Sequence, residues 1–347
     1  MPRTPASPTK QKKSASPPFT FPVKVRLRLW CDTKPALKRE PTGSGFRYRA
    51  PDGRVVRCAV TLARIRALVI PPAWTNVLIC PDANGHLQAI GFDARGRKQY
   101  RYHPAFRAKR DGTKYDRVLT FGLALSRVRT RVELDLRRRG LSRDKVLAAV
   151  VKLLDRTHLR IGNAEYVRAN RSFGLSTLLD RHVTFTRGTV RIKFRGKSGV
   201  EHDRIVSDAK LARLVRQCRD LPGQDLFQYR AGAGSRPIGS ADVNAYIQKA
   251  AGAEFTAKDF RTWAGTVKAA TKLAALPKPE TKTEAERAVC GVVREVAAEL
   301  GNTPAVCRKS YIHPSILEAF TRGGFAKTRA RGQLSADEAR VIRLLGG

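Results

Sequence analysis

The chain has 347 residues and a formal net charge of +39 at pH 7, from 68 Lys and Arg against 29 Asp and Glu. Its hydrophobic fraction of 42% is ordinary for a folded protein, which excludes wholesale disorder as the source of the charge. So large an excess of cations disfavours a typical metabolic enzyme and predicts a polyanionic partner, most simply a nucleic acid. The length suffices for two domains, and because no apolar run is long enough to span a bilayer, no membrane partner is expected.

Residues 1–40 predict a flexible basic tail, because they are rich in Pro, Ser, Thr and Lys. They lack the apolar core of a secretory signal, and their prolines would break the amphipathic helix of a transit peptide. The six cysteines form no C-x-x-C pair and no zinc-ligand pattern, which favours free thiols in a reducing compartment. We therefore expect a cytoplasmic, nucleoid-associated location.

Residues 41–106 predict a small antiparallel β domain. Segments of strand character begin at Phe46, Val77, Leu87 and Lys98, and turn sequences rich in Gly, Asp and Asn separate them. One short helix is expected from Thr61 to Leu68, ending before Pro71.

A charged connector, residues 107–116, is predicted to lead into a mostly helical domain, residues 117–347. Helical periodicity begins at Phe121, and further helices are expected near 208–218, 240–251, 257–275 and 282–300. A small β-hairpin island interrupts them; in its strand from Thr189 to Arg195, Val190, Ile192 and Phe194 alternate with Arg191, Lys193 and Arg195. The predicted fold class is α+β, a small N-terminal antiparallel sheet followed by a larger α-helical catalytic domain.

Several common catalytic signatures fail. Gly196-Lys197-Ser198 matches the end of a phosphate-binding P-loop, but the first glycine would fall at Arg191, and a strand follows where a helix is required. We therefore expect no bound nucleotide. The acidic residues are scattered, so no two-metal site and no cofactor are predicted. Chemistry on nucleic acid would then rely on Arg and Lys for charge and on Tyr as a nucleophile.

Four segments carry a more specific signal. In chain order they are His158-Leu-Arg-Ile-Gly-Asn163, Phe194-Arg-Gly-Lys197, Lys258-Asp-Phe-Arg-Thr-Trp263, and Gly301-Asn-Thr-Pro304 with Arg308-Lys-Ser-Tyr311. Together they resemble the catalytic set of type IB DNA topoisomerases, in the compact poxvirus-like form found in bacteria. The stretches Ile70-Pro-Pro-Ala-Trp74 and Gly96-Arg-Lys-Gln-Tyr-Arg-Tyr-His103 extend the resemblance into the β domain.

The resemblance implies a role for each matched residue. Tyr311 would attack a backbone phosphorus and form a 3′-phosphotyrosyl link that stores the bond energy for resealing without ATP. Arg160 and Arg261 would hold the non-bridging oxygens, and Lys197 would protonate the leaving 5′ oxygen. Many family members have a histidine where this chain has Asn302, whose amide can donate to a phosphate oxygen but cannot transfer a proton. The chain would thus relax supercoiled duplex DNA, acting as a monomer.

The same resemblance implies DNA contacts by Gln99, Tyr100, Tyr102 and Tyr166, although strand alternation puts Gln99 on the face opposite the two neighbouring tyrosines. Trp263 is predicted to lie in the core, and His313 to begin a helix at Pro314. Two alternatives stay open. A tyrosine recombinase would use similar chemistry, but it usually carries H-x-x-R where this chain has Lys258-x-x-Arg261. A non-enzymatic DNA-binding protein would explain the charge but not the ordered set.

Overall fold

The computed structural model describes residues 26–43, 45–232, 234–325 and 328–346. They form two compact units, which divide between Gly112 and Thr113. The architecture is α+β, as the sequence predicts, with an antiparallel sheet in the first unit and mostly helices in the second.

The first unit is built on one five-stranded antiparallel sheet. Its strands are β1 (Leu37–Thr42), β2 (Gly45–Arg49), β3 (Thr75–Ile79), β4 (Leu87–Phe92) and β5 (Lys98–Tyr102), in the spatial order β2-β1-β3-β4-β5. The helix α1 (Ala59–Ala67) places Ile65 in one apolar cluster with Val77 and Ile79. Cys80 belongs to a second cluster with Trp30, as period-two alternation along β3 requires.

Two predicted boundaries are wrong. A flexible tail is predicted for residues 1–40, of which residues 1–25 lie outside the described part of the chain. From Trp30 onward the chain is folded, because Trp30 is 6% exposed and β1 begins at Leu37. The prediction of a tail rested on the average composition of 40 residues, in which a few buried apolar residues such as Trp30 and Leu37 have little weight. The connector predicted at 107–116 is not a separate linker either. It lies within one continuous helix, α2 (Pro104–Leu136), since Ala, Arg and Lys are good helix formers and one internal Gly is tolerated.

The second unit contains nine further helices among the described residues. They are α3 (Arg143–Thr157), α4 (Ala164–Asn170), α5 (Ala209–Arg219), α6 (Ser240–Ala251), α7 (Ala257–Ala274), α8 (Lys282–Leu300), α9 (Pro304–Ser310), α10 (Pro314–Thr321) and α11 (Ala336–Gly346). The four helices predicted after residue 207 correspond to α5 through α8 within a residue or two. The short helix α4 and a two-stranded ribbon, β9 (Gln228–Ala231) with β10 (Gly234–Pro237), were not predicted.

The β island is a three-stranded antiparallel sheet of β6 (Val183–Thr186), β7 (Thr189–Arg195) and β8 (Glu201–Ser207). As predicted, Val190, Ile192 and Phe194 face the core, while the three cations between them are exposed. The turn after Lys197 leads into β8, a strand, which confirms that the P-loop-like sequence lacks the helix it would need.

A buried ion cluster attaches the C-terminal helix α11 to the rest of the unit. Glu338, 7% exposed, accepts hydrogen bonds from Arg129 at 2.8 and 2.9 Å and from the Trp263 indole at 3.1 Å. Arg129 also donates to Asp155 at 2.8 Å. Burial alone would raise the pKa of Glu338, but the bonds from Arg129 and its neighbours outweigh burial and lower the pKa below the usual value. Trp263 is a core residue, as predicted.

Replacing Glu338 with glutamine is expected to lower the free energy of unfolding by about 2 kcal/mol at neutral pH, because it removes a charged acceptor from Arg129. Since the pKa of Glu338 is lower when folded, its contribution is present above the ordinary Glu pKa and lost as the pH falls through the folded value. Urea unfolding across that pH range measures the difference. Glu318→Gln is the control, because its pair with Arg322 is long (3.7 Å) and exposed. Equal effects of both variants would contradict the prediction.

Candidate active site

Three arginines donate hydrogen bonds to backbone carbonyls at the C-terminal end of α8 and at Gly301, the residue that follows it. Arg204 donates to the Glu299 carbonyl at 2.7 Å, Arg261 to the Leu300 carbonyl at 2.7 Å, and Arg160 more weakly to the Gly301 carbonyl at 3.4 Å. Gly301 ends the helix in the left-handed conformation, with φ +62°. A helix C-terminus has unpaired carbonyls and partial negative charge, so it favours cations and holds these guanidinium groups close together.

Arg160 and Asn302 meet directly. Arg160 follows α3, which ends at His158 with φ 55°, and its Nη2 donates to Oδ1 of Asn302 at 2.5 Å. Two further donors of the pair, Nη1 of Arg160 and Nδ2 of Asn302, are buried and have no hydrogen-bond partner within the described parts of the chain. Buried donors without an acceptor are rare, and they point to a ligand that supplies oxygen atoms.

Arg261 is 4% exposed and lies on the buried side of α7. It donates to the His158 carbonyl and to the Leu300 carbonyl, while its Nε is buried without a partner among the described residues. Burial has the largest effect on the pKa of Arg261 and lowers it, as does the positive charge of Arg160. Tyr311 acts in the opposite direction and raises this pKa, but by less. Three unpartnered donors thus come from Arg160, Asn302 and Arg261.

Tyr311 ends α9 and lies beside these donors. The Arg261 guanidinium carbon is 5.2 Å from the centre of the Tyr311 ring. Helix α7 holds the tyrosine backbone, because Thr266 donates its hydroxyl to the Tyr311 carbonyl at 3.2 Å. A methyl group on Gly265 would lie 2.5 Å from that carbonyl oxygen, so only glycine permits this approach. His313 begins α10 as predicted, and its ring accepts from the Ser315 amide.

Lys197 occupies the turn between β7 and β8, where Ser198 and Gly199 both have positive φ (63° and 76°). Its side chain is exposed, and within the described residues its ammonium makes no hydrogen bond or ion pair. The hairpin approaches the end of α8, since a methyl group on Gly301 would lie 3.3 Å from a methyl of Val200. Arg160 with Asn302 and Arg261 with Tyr311 therefore form a cluster of two contacting pairs at the adjacent carbonyls of Leu300 and Gly301. Lys197 lies on a turn whose hairpin abuts this end of α8.

The predicted DNA-binding residues differ in exposure and in their local partners. Tyr166, on α4, is 56% exposed. On β5, Tyr100 is 44% exposed and stacks on Tyr102, which packs against an apolar cluster of the first unit. Gln99 donates to Asp93 at 2.8 Å.

Sequence reasoning missed the groups that hold the catalytic candidates in place. The carbonyl of His158, the side chains of Thr266 and Arg204, and the ring of His202 all contact this cluster or its supporting turn. The Gly301 that follows a long helical pattern was the one available signal, because glycine commonly ends a helix and leaves its last carbonyls open.

Comparison with known proteins identifies the family of this chain. The family model described as "Eukaryotic DNA topoisomerase I, catalytic core" matches residues 103–335, and "Bacterial DNA topoisomerase IB, N-terminal domain" matches residues 45–93. The chain belongs to the type IB DNA topoisomerase family. Among its relatives, DNA topoisomerase 1B of Acanthamoeba polyphaga mimivirus is 30% identical over 82% of this chain and 87% of its own length. DNA topoisomerase 1B of vaccinia virus (strain Copenhagen) is 22% identical over 72% of this chain and 78% of its own length.

Family membership confirms the predicted resemblance and fold and makes the chain a DNA topoisomerase, an enzyme whose substrate is DNA. The recombinase and the non-enzymatic DNA-binding protein are disfavoured on the same grounds. Over the described residues, no helix has the length and apolar character needed to cross a membrane.

Proposed function

We propose that this topoisomerase relaxes supercoiled duplex DNA by cutting one strand through a 3′-phosphotyrosyl intermediate at Tyr311, allowing rotation, and resealing the strand without ATP or metal. The observation that carries the proposal is a set of three buried donors on Arg160, Arg261 and Asn302 that have no partner among the described residues, with Arg261 next to the tyrosine ring. A phosphodiester offers two non-bridging oxygens, which are the acceptors these donors lack.

In the cleavage step the Tyr311 oxygen attacks phosphorus and loses its proton to solvent. The new phosphorus–oxygen bond forms as the bond to the 5′ oxygen breaks, and Lys197 gives a proton to that oxygen, leaving a free 5′ hydroxyl. Resealing is the reverse, with the hydroxyl as nucleophile and the tyrosine as leaving group. The phosphoryl group stays activated throughout, so no nucleotide is needed.

The guanidinium groups lower the barrier because they are fixed before substrate arrives. Arg261 is held by two backbone carbonyls and Arg160 by Asn302 and Gly301, so little reorganisation is needed when negative charge grows on the phosphorus oxygens. Prealigned donors in a site with little water are the strongest form of such stabilisation. The planar guanidinium suits a phosphoryl group, and its charge takes the place of a metal ion.

DNA contacts outside the chemistry belong to the same proposal. Tyr100 and Tyr166 are exposed enough to touch a duplex, whereas Tyr102 packs internally, and Gln99 would have to leave Asp93 to do so. With a net charge of +39, binding should weaken steeply as salt rises, since each phosphate contact releases counterions. We propose a monomer as the acting species.

The decisive experiment is relaxation of a supercoiled plasmid in EDTA without nucleotide. We expect complete relaxation, together with a denaturant-stable protein–DNA adduct whose modified peptide contains Tyr311. A plasmid that stays supercoiled would refute the proposal. Exchange of strands between two duplexes, without relaxation, would instead support the recombinase. An adduct that maps to another tyrosine would refute the assignment of the nucleophile alone.

Replacing Lys197 with alanine is expected to slow single-turnover cleavage of an ordinary substrate by about 100-fold or more, the usual contribution of a general acid. A substrate with sulfur in place of the 5′ oxygen needs no protonation of its leaving group, so it should be cleaved almost as fast by the variant as by the wild type. Lys193→Ala, which removes an exposed cation from the adjoining strand, is the matched control. Equal slowing on both substrates would remove the general-acid role.

Replacing Asn302 with aspartate is expected to slow cleavage by about 100-fold or more and more than Asn302→Ala does, because it exchanges an unpartnered donor for an anion next to Arg160. Single-turnover cleavage and non-covalent DNA affinity, measured together, separate a chemical defect from a binding defect. If aspartate is tolerated as well as alanine, the Asn302 amide does not face the phosphate.

A further inference from the structure

A buried histidine lies between the lysine turn and the end of α8. His202 is the second residue of β8 and is 4% exposed. It is paired across the sheet with Phe194, and the two ring centres are 5.1 Å apart. None of the proposed catalytic steps uses it, and over the described residues its imidazole makes no hydrogen bond.

Two glycines make room for this ring. A methyl group on Gly196 would lie 2.6 Å from Cδ2 and 2.7 Å from Nε2 of His202, and one on Gly301 would lie 3.1 Å from Cε1. The imidazole therefore contacts the backbone on both sides. Gly196 directly precedes Lys197, and Gly301 directly precedes Asn302. The ring connects the two chain segments that carry these residues.

The surroundings keep this ring uncharged. Burial, and then the positive charges of Arg160, Arg204 and Arg261, lower the pKa of His202 to about 4. The other neighbours that contact the ring, Phe194 and the two glycines, carry no charge. A neutral, flat ring fills the space between the two turns without repelling the three arginines at the end of α8. A cationic side chain of similar size would repel them.

We propose that His202 is a positioning residue that docks the Lys197 turn against the Gly301–Asn302 turn, and so sets where the lysine ammonium meets the leaving oxygen. Arg204 supports the same docking, because it joins β8 to the Glu299 carbonyl at 2.7 Å. The inference rests on the proposed role of Lys197 as general acid. The inference adds that His202, five residues after Lys197, positions the lysine on its exposed turn.

The first test compares the two leaving groups. His202→Ala should slow cleavage of the ordinary 5′-oxygen substrate by about 10-fold or more and the 5′-sulfur substrate much less, since misplacing a reacting group by an ångström is that costly. His182→Ala is the matched control. His182 also lies near Phe194, but its ring accepts from the Leu179 amide and packs edge-on against Phe173 at 4.5 Å between ring centres. The control should affect both substrates equally.

The second test uses the glycine contact. Gly196→Ala should also slow the oxygen substrate selectively, because the new methyl group collides with the imidazole. Gly196 has φ −98°, which alanine accepts, so the collision is the main cost. In the double variant Gly196→Ala, His202→Ala the collision is gone, and the combined slowing should be much smaller than the product of the two single effects.

The outcomes separate the inference from its premise. If Lys197→Ala shows no difference between the oxygen and sulfur substrates, the general-acid role fails and the inference fails with it. If Lys197→Ala shows the difference but His202→Ala slows both substrates equally, or neither, His202 does not position the lysine. Strict multiplication in the double variant would likewise overturn the proposed contact. Thermal unfolding of every variant identifies any that have lost the fold, and for those the His202→Phe variant, which retains a flat ring, replaces His202→Ala.

Discussion

The Tyr311→Phe variant is expected to leave a supercoiled plasmid untouched and to form no covalent adduct, with cleavage reduced by at least about 10⁴-fold, as for other enzymes that lose their nucleophile. The change deletes one oxygen atom and keeps the ring that lies 5.2 Å from the Arg261 guanidinium. The Thr266 hydroxyl bonds to the Tyr311 backbone carbonyl, so the anchoring of the segment also survives. Loss of activity would therefore report chemistry and not misfolding.

Tyr229→Phe is the matched control for this variant. Tyr229 is half-buried on β9 and packs against the same large core as Tyr311. Its replacement by Phe therefore removes the same hydroxyl group at a position away from the candidate active site. It should relax DNA at the wild-type rate. Residual relaxation by Tyr311→Phe above background would mean that another residue attacks the phosphorus. DNA binding by Tyr311→Phe, measured by fluorescence anisotropy, should match the wild type.

The Arg261→Lys variant is expected to slow cleavage by about 10³-fold although the charge is kept, the upper range for loss of one prealigned donor. Arg261 donates to the His158 and Leu300 carbonyls, and its Nε finds no hydrogen-bond partner within the described parts of the chain. A lysine ammonium cannot reproduce that planar fork, so it would have to give up either the carbonyls or the phosphate. Single-turnover cleavage and resealing rates should fall together, because both pass through the same transition state.

Arg204→Lys is the control for this second prediction. It also removes a guanidinium from an α8 carbonyl, but Arg204 has no unpartnered buried donor. Because Arg204 also supports the docking of the Lys197 turn, the comparison uses the 5′-sulfur substrate, which needs no lysine. On that substrate its effect should be small beside that of Arg261→Lys, with a loss of about 0.5–1.5 kcal/mol in unfolding free energy for the bond to the helix end. A defect as large as that of Arg261→Lys would mean that the helix end, and not the phosphate, explains both variants.

The sequence predicted correctly those features that depend on residues close together along the chain. The resemblance carried by four ordered segments implied the candidates Arg160, Lys197, Arg261 and Tyr311, and the structure brings three of them into contact with one another or with Asn302. Alternation along β7 correctly separated its cationic and apolar faces. Helix lengths after residue 207 were also predictable, because their apolar periodicity and caps are local signals.

What could not be predicted depends on contacts between distant segments. The bond from Arg160 to Asn302 spans 142 residues, and that from Arg261 to His158 spans 103. No local pattern specifies which carbonyl a buried arginine will meet. The α2 helix was misjudged for the opposite reason: the charges of residues 107–116 suggested a linker, although charged residues form helices readily. His202 gave no signal because its role depends on glycines in two other segments.

The end of α8 makes the proposed catalytic groups a single cooperative unit. Three arginines are attached to consecutive carbonyls of one helical turn, and the amides of Gly301 and Asn302 bond back to Ala298 and Ala297 in that same turn. If this turn frays, the groups proposed to break the strand and those proposed to rejoin it are lost together. A partly unfolded molecule should then be inert towards intact DNA. Damage to the protein would cost activity without leaving a half-competent enzyme that nicks the duplex and fails to close it.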